Sequence, residues 1–563
     1  MTNQEEKVAQ PPLNGGQLLF QTARQYGLTH VFGNPGTTEV NFMDALSRAE
    51  DFNFFLCLHE DVATGAADGF ARISGRPALV NLHLQPGLTH GMANLHNAKR
   101  ARVPLVVTVG EHHTRFGLEE SPLSGDILGS ARSLCKWSYT VHQAEEIPAA
   151  LHRAMLQALT PPQGPVCLVL PNDTLSRITQ DNVTIPQLNV PKPGPAHPQA
   201  IEESLQLLNR ARQPLFVVGD VLTGAGRTAL RKLARSVNAQ IWLEPFPTRL
   251  DPASDPLLAF YGQRLPYFPK QRRQILQNAD CILLAGVSGF TTHFLYDDDP
   301  ILSLVPDNIP VIHLDSDVSE LGKNAKSALP LLGDVDLTLL QMLDKQQTTG
   351  EAAQEGPAPV VTAEFKPEEN APVTATALGK ALRAALPPDT IYVDEAITAG
   401  TALNPELLLN NRQLAHILTG RGGSLGYGIP AAIGAKLAAP DKPVLAVIGD
   451  GTALYSIQAL WTMARYKLPI VTVICNNHNY DIITLEMLRS QGNLAASGPA
   501  RIMEYTALTP PGINFAALAE GFGVKGWQVT RQTELLPAIE QAFASGAPAL
   551  LDVSLVSSLR SVQ

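Results

Sequence analysis

The chain has 563 residues, which is enough for three or four domains of ordinary size. Hydrophobic residues make up 45% of the sequence and charged residues 17%, which favours large buried cores. The net charge of −10 argues against nucleic acid or an anionic membrane as the partner. Residues 1–12 do not resemble a signal peptide, no apolar run is long enough to span a membrane, and five scattered cysteines lack any metal-binding spacing. We therefore expect a cytoplasmic protein with buried free thiols.

Apolar runs that alternate with helical patterns divide the sequence into three parts. Residues 184–200, which are rich in proline, and residues 346–373 have the composition of extended connections. We expect domains at residues 1–183, 200–345 and 374–563, and we assign all three to the α/β class, each with a doubly wound parallel sheet. The clearest predicted strands are Ala78–Leu82, 105–109 and 166–170 in the first part, 215–218, Cys281–Ala285 and 311–314 in the second, and 390–393, 444–448 and 470–475 in the third.

Two histidines follow predicted strands at positions where a loop would present them. His83 comes directly after Ala78–Leu82, and His293 comes shortly after Cys281–Ala285. Imidazole titrates near neutral pH, and loops at strand ends commonly carry catalytic side chains. Both histidines are therefore candidate acid–base groups, and an exposed histidine without a function is the alternative at each position.

Polar residues end two neighbouring predicted strands of the third part. Asp450 stands between two glycines after strand 444–448, and Asn477 follows strand 470–475. Because a helix is predicted at 456–465 between them, the two strands should be parallel and their carboxyl ends should meet at one edge of the sheet. Carboxylate and amide oxygens suit Mg²⁺, which takes further ligands from phosphate. The pattern predicts a site that holds a diphosphate through a divalent metal.

These motifs resemble a known family. Gly449-Asp450-Gly451 followed by Asn476-Asn477 is similar to the thiamine-diphosphate signature, and the similarity extends over residues 15–556. The order of motifs resembles that of the pyruvate-oxidase and acetolactate-synthase superfamily, and within it that of the benzoylformate decarboxylases. The segments that carry the resemblance are 31–36 (VFGNPG), 66–72 (AADGFAR), 81–83 (NLH) and 449–456 (GDGTALYS).

The resemblance implies a pyrimidine-binding domain, a central domain and a diphosphate-binding domain, with thiamine diphosphate and Mg²⁺ as cofactors. It implies that Asp450, Asn477 and the backbone carbonyl of Asn479 bind the metal. It also implies that Glu60 activates the cofactor through its pyrimidine ring, and that Leu425 supports the bent conformation of the cofactor. Further cofactor contacts are implied for Gly449, Gly451, Thr452 and Tyr480.

On the substrate side, Thr37 stands where the benzoylformate decarboxylases have a serine that binds the substrate carboxylate. The alternative is a helix N-cap before residues 40–46. His83 and His293 match the two active-site histidines of those enzymes, whereas His59 is expected to be a packed or surface residue. Arg421 replaces a small residue, and either binds a carboxylate or phosphate or lies on the surface.

The predicted function is non-oxidative decarboxylation of a small 2-oxo acid, which releases CO₂ and an aldehyde. A carboligase of the acetolactate-synthase or acyloin-forming type and a 2-hydroxyacyl-CoA lyase are the alternatives. Residues 219–226 also leave open a bound FAD, ADP or CoA in the central domain. The resemblance implies a homodimer or homotetramer with active sites between subunits, and neither nucleic acid nor membrane is expected as a partner.

Overall fold

Parallel strands form three sheets in the computed structural model of the chain. The model describes residues 12–179, 183–245, 247–266, 269–287, 304–325, 328–346, 364–409, 411–489 and 504–557. Residues Met1–Pro191 form one compact unit and Lys192–Gln563 form a second. The fold class is thus confirmed, with three α/β parallel-sheet domains, whereas the domain boundaries stay predictions.

The first unit contains a six-stranded, fully parallel sheet. Its strands are β1 (His30–Gly33), β2 (Asn53–Leu56), β3 (Ala78–Leu82), β4 (Leu105–Glu111), β5 (Trp137–Thr140) and β6 (Val166–Pro171). The strand order is β2-β1-β3-β4-β6-β5. Its helices are α1 (Gly15–Gln25), α2 (Val40–Ser47), α3 (Glu60–Ser74), α4 (Leu84–His90), α5 (Met92–Arg100), α6 (Ile127–Arg132), α7 (Ile147–Leu159) and α8 (Asn172–Ser176).

The second unit begins with a five-stranded parallel sheet. Its strands are β7 (Pro214–Val218), β8 (Gln240–Leu243), β10 (Cys281–Ala285), β11 (Val311–Asp315) and β12 (Ala328–Leu332), and β9 (Arg249–Leu250) belongs to the next sheet. The strand order is β12-β11-β10-β7-β8. The helices of this part are α9 (Pro198–Arg210), α10 (Gly224–Ser236), α11 (Pro269–Leu276) and α12 (Val335–Lys345).

The third sheet has seven strands. The later strands are β13 (Thr390–Glu395), β14 (Leu414–Thr419), β15 (Val444–Gly449), β16 (Ile470–Asn476), β17 (Lys525–Val529) and β18 (Ala549–Ser554). The strand order is β17-β18-β16-β15-β13-β14-β9. The helices are α13 (Ala375–Ala385), α14 (Gly400–Leu408), α15 (Gly428–Ala438), α16 (Asp450–Ala453), α17 (Ala459–Arg465), α18 (Asp481–Arg489), α19 (Phe515–Gly521) and α20 (Gln532–Ala544).

Two details of the third sheet differ from the predictions. β9 pairs antiparallel with β14, so the sheet is mixed at this edge, where a two-residue strand can reverse direction without disturbing the parallel core. The helix predicted at 456–465 begins at Ala459, because residues 454–458 form turns in which, for example, Ser456 N–H donates to the carbonyl of Ala453. The predicted strands themselves are confirmed.

The central strands bury almost every residue. All five residues of β3 are buried, as are all seven of β16. Such strands have helices on both faces and read as unbroken apolar runs. Side chains that contact a ligand are therefore expected at the strand ends, where parallel sheets of this class bind their ligands. In the described part of the chain, no helix combines the length and the apolar composition that crossing a membrane requires.

Candidate functional site

Asp450 lies at the carboxyl end of β15, near the middle of the third sheet. β16 runs parallel beside it, and the two strands end in register. Asp450 is 4% exposed; its Oδ1 accepts a hydrogen bond from Gly451 N–H at 2.8 Å, and its Oδ2 accepts one from His478 N–H at 2.8 Å. The structure therefore joins Asp450 to the turn that follows Asn477, as the strand pattern predicted.

The carboxylate of Asp450 has the electrostatic character of a cation ligand. Burial raises its pKa to about 6, and the backbone N–H groups around it lower the pKa only in part. Among the described residues, no lysine or arginine forms an ion pair with Asp450. A buried carboxylate without a cationic partner carries a desolvation cost that a bound metal ion would offset.

The turn at residues 477–480 supplies further oxygen atoms. The half-buried Asn477 accepts a hydrogen bond through Oδ1 from Asn479 N–H at 2.9 Å, and the Asn479 carbonyl accepts one from Asp481 N–H at 2.9 Å. Each of these oxygens keeps a second lone pair. Asn479 Oδ1 is also buried, with no hydrogen-bond partner in the described part of the chain. Carboxylate, amide and carbonyl oxygens are the ligands that Mg²⁺ prefers, so these residues fit the predicted metal.

Four residues predicted to bind the cofactor lie together beside Asp450. A Cβ atom on Gly451 would lie 2.3 Å from Cε1 of Tyr480, so the tyrosine ring packs directly on the glycine backbone and a side chain there would displace it. Thr452 Oγ1 donates to the carbonyl of Gly449 at 2.9 Å and so fixes the turn. Their role in cofactor binding stays a prediction.

Glu395 holds the backbone next to Leu425, and sequence reasoning missed it. It ends β13 and is 8% exposed. Its Oε1 accepts hydrogen bonds from the N–H groups of Gly426 at 2.9 Å and Tyr427 at 3.1 Å. Its Oε2 accepts one from Gly428 N–H at 2.7 Å. The half-buried Leu425 therefore precedes a turn that one carboxylate fixes, and the available signal was an acidic residue at the end of a predicted strand.

Arg421 is buried and ion-paired, so the alternative of a surface arginine is wrong. Its side chain is 4% exposed and lies between two carboxylates at the carboxyl ends of β7 and β8. Nη1 lies 3.3 Å from Asp220 Oδ1, and Nη2 donates to Glu244 Oε2. Asp220 in turn accepts hydrogen bonds from the backbone and the hydroxyl of Thr248. The guanidinium thus ties the start of loop 420–427 to the second sheet, because its charge is already matched there.

Glu60 is the first residue of α3 and is 7% exposed. Asn34 Nδ2 donates to its Oε1 at 3.4 Å, and His90 Nδ1 lies 3.2 Å from its Oε2. His59 caps the helix, since its Nδ1 accepts a hydrogen bond from Asp61 N–H at 3.1 Å, which confirms that His59 is a packed residue. A buried carboxylate with only these two partners keeps acceptor capacity for a ligand N–H, as the predicted contact with a pyrimidine requires. Asn34 and His90 were not predicted.

His83 lies directly after β3 and precedes α4, as expected for a strand-end histidine. Its Nδ1 lies 2.7 Å from Oε2 of Glu39, which is only 1% exposed, and 3.1 Å from Thr38 Oγ1. A Cβ atom on Gly36 would lie 2.3 Å from the same Nδ1, so the imidazole packs on the Gly36 backbone. These contacts fix the ring through one nitrogen and leave Nε2 for chemistry.

Thr37 is exposed and begins a short 3₁₀ helix, Thr37–Glu39, so it is not an N-cap of α2. Glu39 occupies the position before α2, which makes the N-cap alternative wrong. The predicted contact of Thr37 with a substrate carboxylate stays a prediction. His293 lies outside the described residues, and its predicted role stays a prediction as well.

Comparisons with protein families match the chain to three models of one family. The model "Thiamine pyrophosphate enzyme, N-terminal TPP binding domain" matches residues 13–121, and the central-domain model of the same family matches residues 201–343. The model "Thiamine pyrophosphate enzyme, C-terminal TPP binding domain" matches residues 405–553. The last match includes Asp450 and the turn after Asn477.

Individual relatives divide between two named activities. The chain is 36% identical, over 97% of its length and 99% of the relative, to a Mycobacterium tuberculosis protein provisionally named as an acetolactate synthase large subunit. It is 32% identical to the benzoylformate decarboxylase of Pseudomonas aeruginosa, over 95% of this chain and 97% of the relative. The solved thiamine diphosphate-dependent 4-hydroxybenzoylformate decarboxylase of Rhodococcus jostii is similar in fold, with a TM-score of 0.82 and 28% identity, covering 96% of this chain and 99% of that one.

Proposed function

Because the chain belongs to the thiamine pyrophosphate enzyme family, we propose that it is a thiamine-diphosphate- and Mg²⁺-dependent decarboxylase that converts a 2-oxo acid to CO₂ and an aldehyde. The observation that carries the proposal is the buried carboxylate of Asp450 at the end of β15, beside the oxygen atoms of the turn at 477–480. Thiamine diphosphate, when bound, supplies a carbon nucleophile and an electron sink for carbon–carbon cleavage.

The residues of this chain would hold and orient that cofactor. Asp450, Asn477 and the carbonyl of Asn479 would hold Mg²⁺ and, through it, the diphosphate. Glu60 would accept a hydrogen bond from the pyrimidine ring, since its carboxylate is buried and has no lysine or arginine partner among the described residues. A hydrogen bond to such a charged group contributes about 1.5–3 kcal/mol. Leu425 would pack beneath the cofactor from the turn that Glu395 fixes.

His83 would deliver the proton that completes aldehyde formation. Its hydrogen bond to the buried Glu39 holds the ring at Nδ1, so the proton to be transferred would reside on Nε2. Thr37 would contact the carboxylate of the substrate, which agrees with its exposed position in the same unit as His83. A second acid–base role is proposed for His293 on the basis of the family resemblance alone.

A carboligase is the second candidate. The similarity to the Mycobacterium tuberculosis protein and the 27% identity to the acetolactate synthase large subunit of Haemophilus influenzae favour it. In that reaction the fragment left by loss of CO₂ joins a second carbonyl compound and is not protonated. The same Asp450 and Glu60 would serve both reactions, so the cofactor site does not separate them.

We further propose a homodimer or homotetramer with active sites between subunits, following the family resemblance. Sizing of the purified protein tests this, since a fully active monomer would contradict it. A cytoplasmic location is supported by the five cysteines, which are all free and buried.

Cofactor binding is tested by titrating thiamine diphosphate into metal-free protein, with and without MgCl₂, by calorimetry. Wild-type protein should bind it only when Mg²⁺ is present, and Asp450→Asn should weaken binding at least about tenfold because a charged ligand is lost. Asp441→Asn, which changes an acidic residue before β15, is the matched control and should bind normally. Equal binding by wild-type protein and Asp450→Asn would overturn the proposed site.

The reaction is tested by a product screen with aromatic, branched and dicarboxylic 2-oxo acids, each alone and then with an aldehyde acceptor. Aldehyde as the main product supports the decarboxylase, whereas a chiral 2-hydroxy ketone as the main product supports the carboligase. In the decarboxylase, His83→Ala should lower kcat at least about 100-fold, as expected for a lost acid–base group. Unchanged kcat would remove His83 from the mechanism.

A further inference from the structure

Two histidines and the carboxylate of Glu60 form a compact cluster of metal-ligand atoms. His59, Glu60 and His90 each offer one such atom, and these atoms all lie within 4.8 Å of one another. The two imidazole rings are stacked, with centroids 5.2 Å apart and planes inclined by 27°. His90 Nδ1 is already 3.2 Å from Glu60 Oε2. The sequence separates His59 from His90 by a whole helix and strand, so only the fold brings them together.

The spacing of these atoms suits a tetrahedral zinc ion. Bonds of 2.0–2.1 Å from zinc to nitrogen or oxygen place two tetrahedral ligands about 3.3 Å apart. The contact between His90 and Glu60 has this length, whereas the ligand atom of His59 lies within 4.8 Å of both and would have to move closer on binding. The Glu60 side chain is 9% exposed and that of His90 is 56% exposed, so an ion can enter from the His90 side and keep one position for water.

The ligand types also distinguish this cluster from the magnesium site. Imidazole nitrogen is a good ligand for zinc, whereas Mg²⁺ prefers a shell made of oxygen atoms, such as those around Asp450. His59 Nδ1 accepts a hydrogen bond from the backbone N–H of Asp61, so zinc bound at this nitrogen would replace that hydrogen bond. Zinc would thus bind at the histidine cluster, and Mg²⁺ would bind at Asp450.

We infer that His59, Glu60 and His90 form a Zn²⁺ site, and that zinc bound there competes with thiamine diphosphate for the carboxylate of Glu60. The competition rests on the proposed function, in which Glu60 accepts a hydrogen bond from the pyrimidine ring of the cofactor. The zinc site itself rests only on the geometry of the three side chains. Zinc would therefore inhibit the enzyme by excluding its organic cofactor and not by displacing Mg²⁺.

The first experiment titrates ZnCl₂ into untagged, full-length, metal-free protein against a chromogenic chelator. One zinc ion should bind per chain, and His90→Asn should weaken that binding about tenfold or more because a direct ligand is lost. His142→Asn, which changes another exposed histidine of the same unit, should bind zinc like the wild type. Co²⁺ bound in place of zinc should show the strong visible absorption of a four-coordinate ion, which His90→Asn should abolish.

The second experiment repeats the thiamine diphosphate titration in MgCl₂ with ZnCl₂ added. Zinc should raise the apparent Kd of thiamine diphosphate for wild-type protein in proportion to its occupancy, and should leave the Kd of His90→Asn unchanged. Failure of the wild type to bind zinc, or equal zinc binding by His90→Asn, overturns the site and leaves the proposed function intact. Zinc binding that depends on His90 but does not alter the Kd overturns the competition, and with it the assignment of Glu60 to the cofactor.

Discussion

Replacing Arg421 by methionine should destabilise the unit that contains residues 192–563 by about 3–5 kcal/mol, the cost of breaking a buried ion pair from one side. The magnitude follows from burial, because Asp220 and Glu244 have side chains 4% and 0% exposed and would lose their shared cation. Burial raises the pKa of Glu244 to about 8 while Arg421 opposes the rise, so removing Arg421 raises this pKa further. Folded Glu244 already holds a proton below about pH 8, and the variant keeps that proton to a higher pH than the wild type.

The sign of the pH dependence follows from that proton. Since folded Glu244 holds a proton that the unfolded chain releases above its ordinary pKa, the stability of both proteins should fall as the pH rises from 6 to 8. Above about pH 8 wild-type Glu244 releases its proton, so only the stability of Arg421→Met should continue to fall towards pH 9. Urea unfolding of metal-free protein at fixed concentration, followed by tryptophan fluorescence, measures both effects. Arg412→Met, at an exposed arginine of the same unit, should change stability by less than about 0.5 kcal/mol. Two results would contradict this prediction: a free energy of unfolding for Arg421→Met equal to that of Arg412→Met, or a loss of stability relative to wild type that is the same at every pH.

Three further predictions concern the packing of the site and of the thiols. Gly36→Ala should lower kcat about 100-fold, as a misplaced catalytic group does, because the new methyl group would push His83 away from Glu39; normal kinetics would contradict the packing. Glu395→Gln should weaken thiamine diphosphate binding about tenfold, because three N–H groups lose a charged acceptor, and an unchanged Kd in calorimetry would exclude this role. All five cysteines are buried, and burial raises the pKa of Cys135 to about 12. Ellman's reagent should therefore modify native protein at least about 100-fold more slowly than unfolded protein, and rapid labelling of native protein would contradict the burial.

The sequence was sufficient to predict the most deeply buried strands. β3, β15 and β16 were predictable because strands covered on both faces consist mostly of apolar residues. The same rule located Asp450 and Asn477, since the first polar residues after such a run must lie at the edge of the sheet. Local patterning was thus enough to predict the strand ends and the polar side chains that they carry.

Residues that depend on distant partners were not predictable. Arg421 and Asp220 are 201 positions apart, and no local pattern in the sequence indicates their ion pair. His90 reaches Glu60 only because α4 ends beside the start of α3. The same is true of Glu395, whose acceptor role depends on the approach of the turn at 426–428. Charge matching and hydrogen bonding between elements follow from tertiary packing, which single-sequence periodicity does not encode.

The second sheet shows how a carboxylate of the chain itself can take the place of a ligand. A nucleotide at residues 219–226 would need the first turn of α10 for its phosphate. The carboxylate of Asp336, which belongs to α12, lies against that turn. It accepts hydrogen bonds from Thr223 N–H at 3.2 Å and from Thr223 Oγ1 at 2.5 Å. A Cβ atom on Gly226 would lie 1.8 Å from Asp336 Oδ1, so the glycine makes room for this carboxylate. The glycine pattern therefore serves internal packing, which argues against a bound FAD or ADP at this turn. What the carboxyl edge of the sheet does hold is Arg421, and through it the loop that carries Leu425.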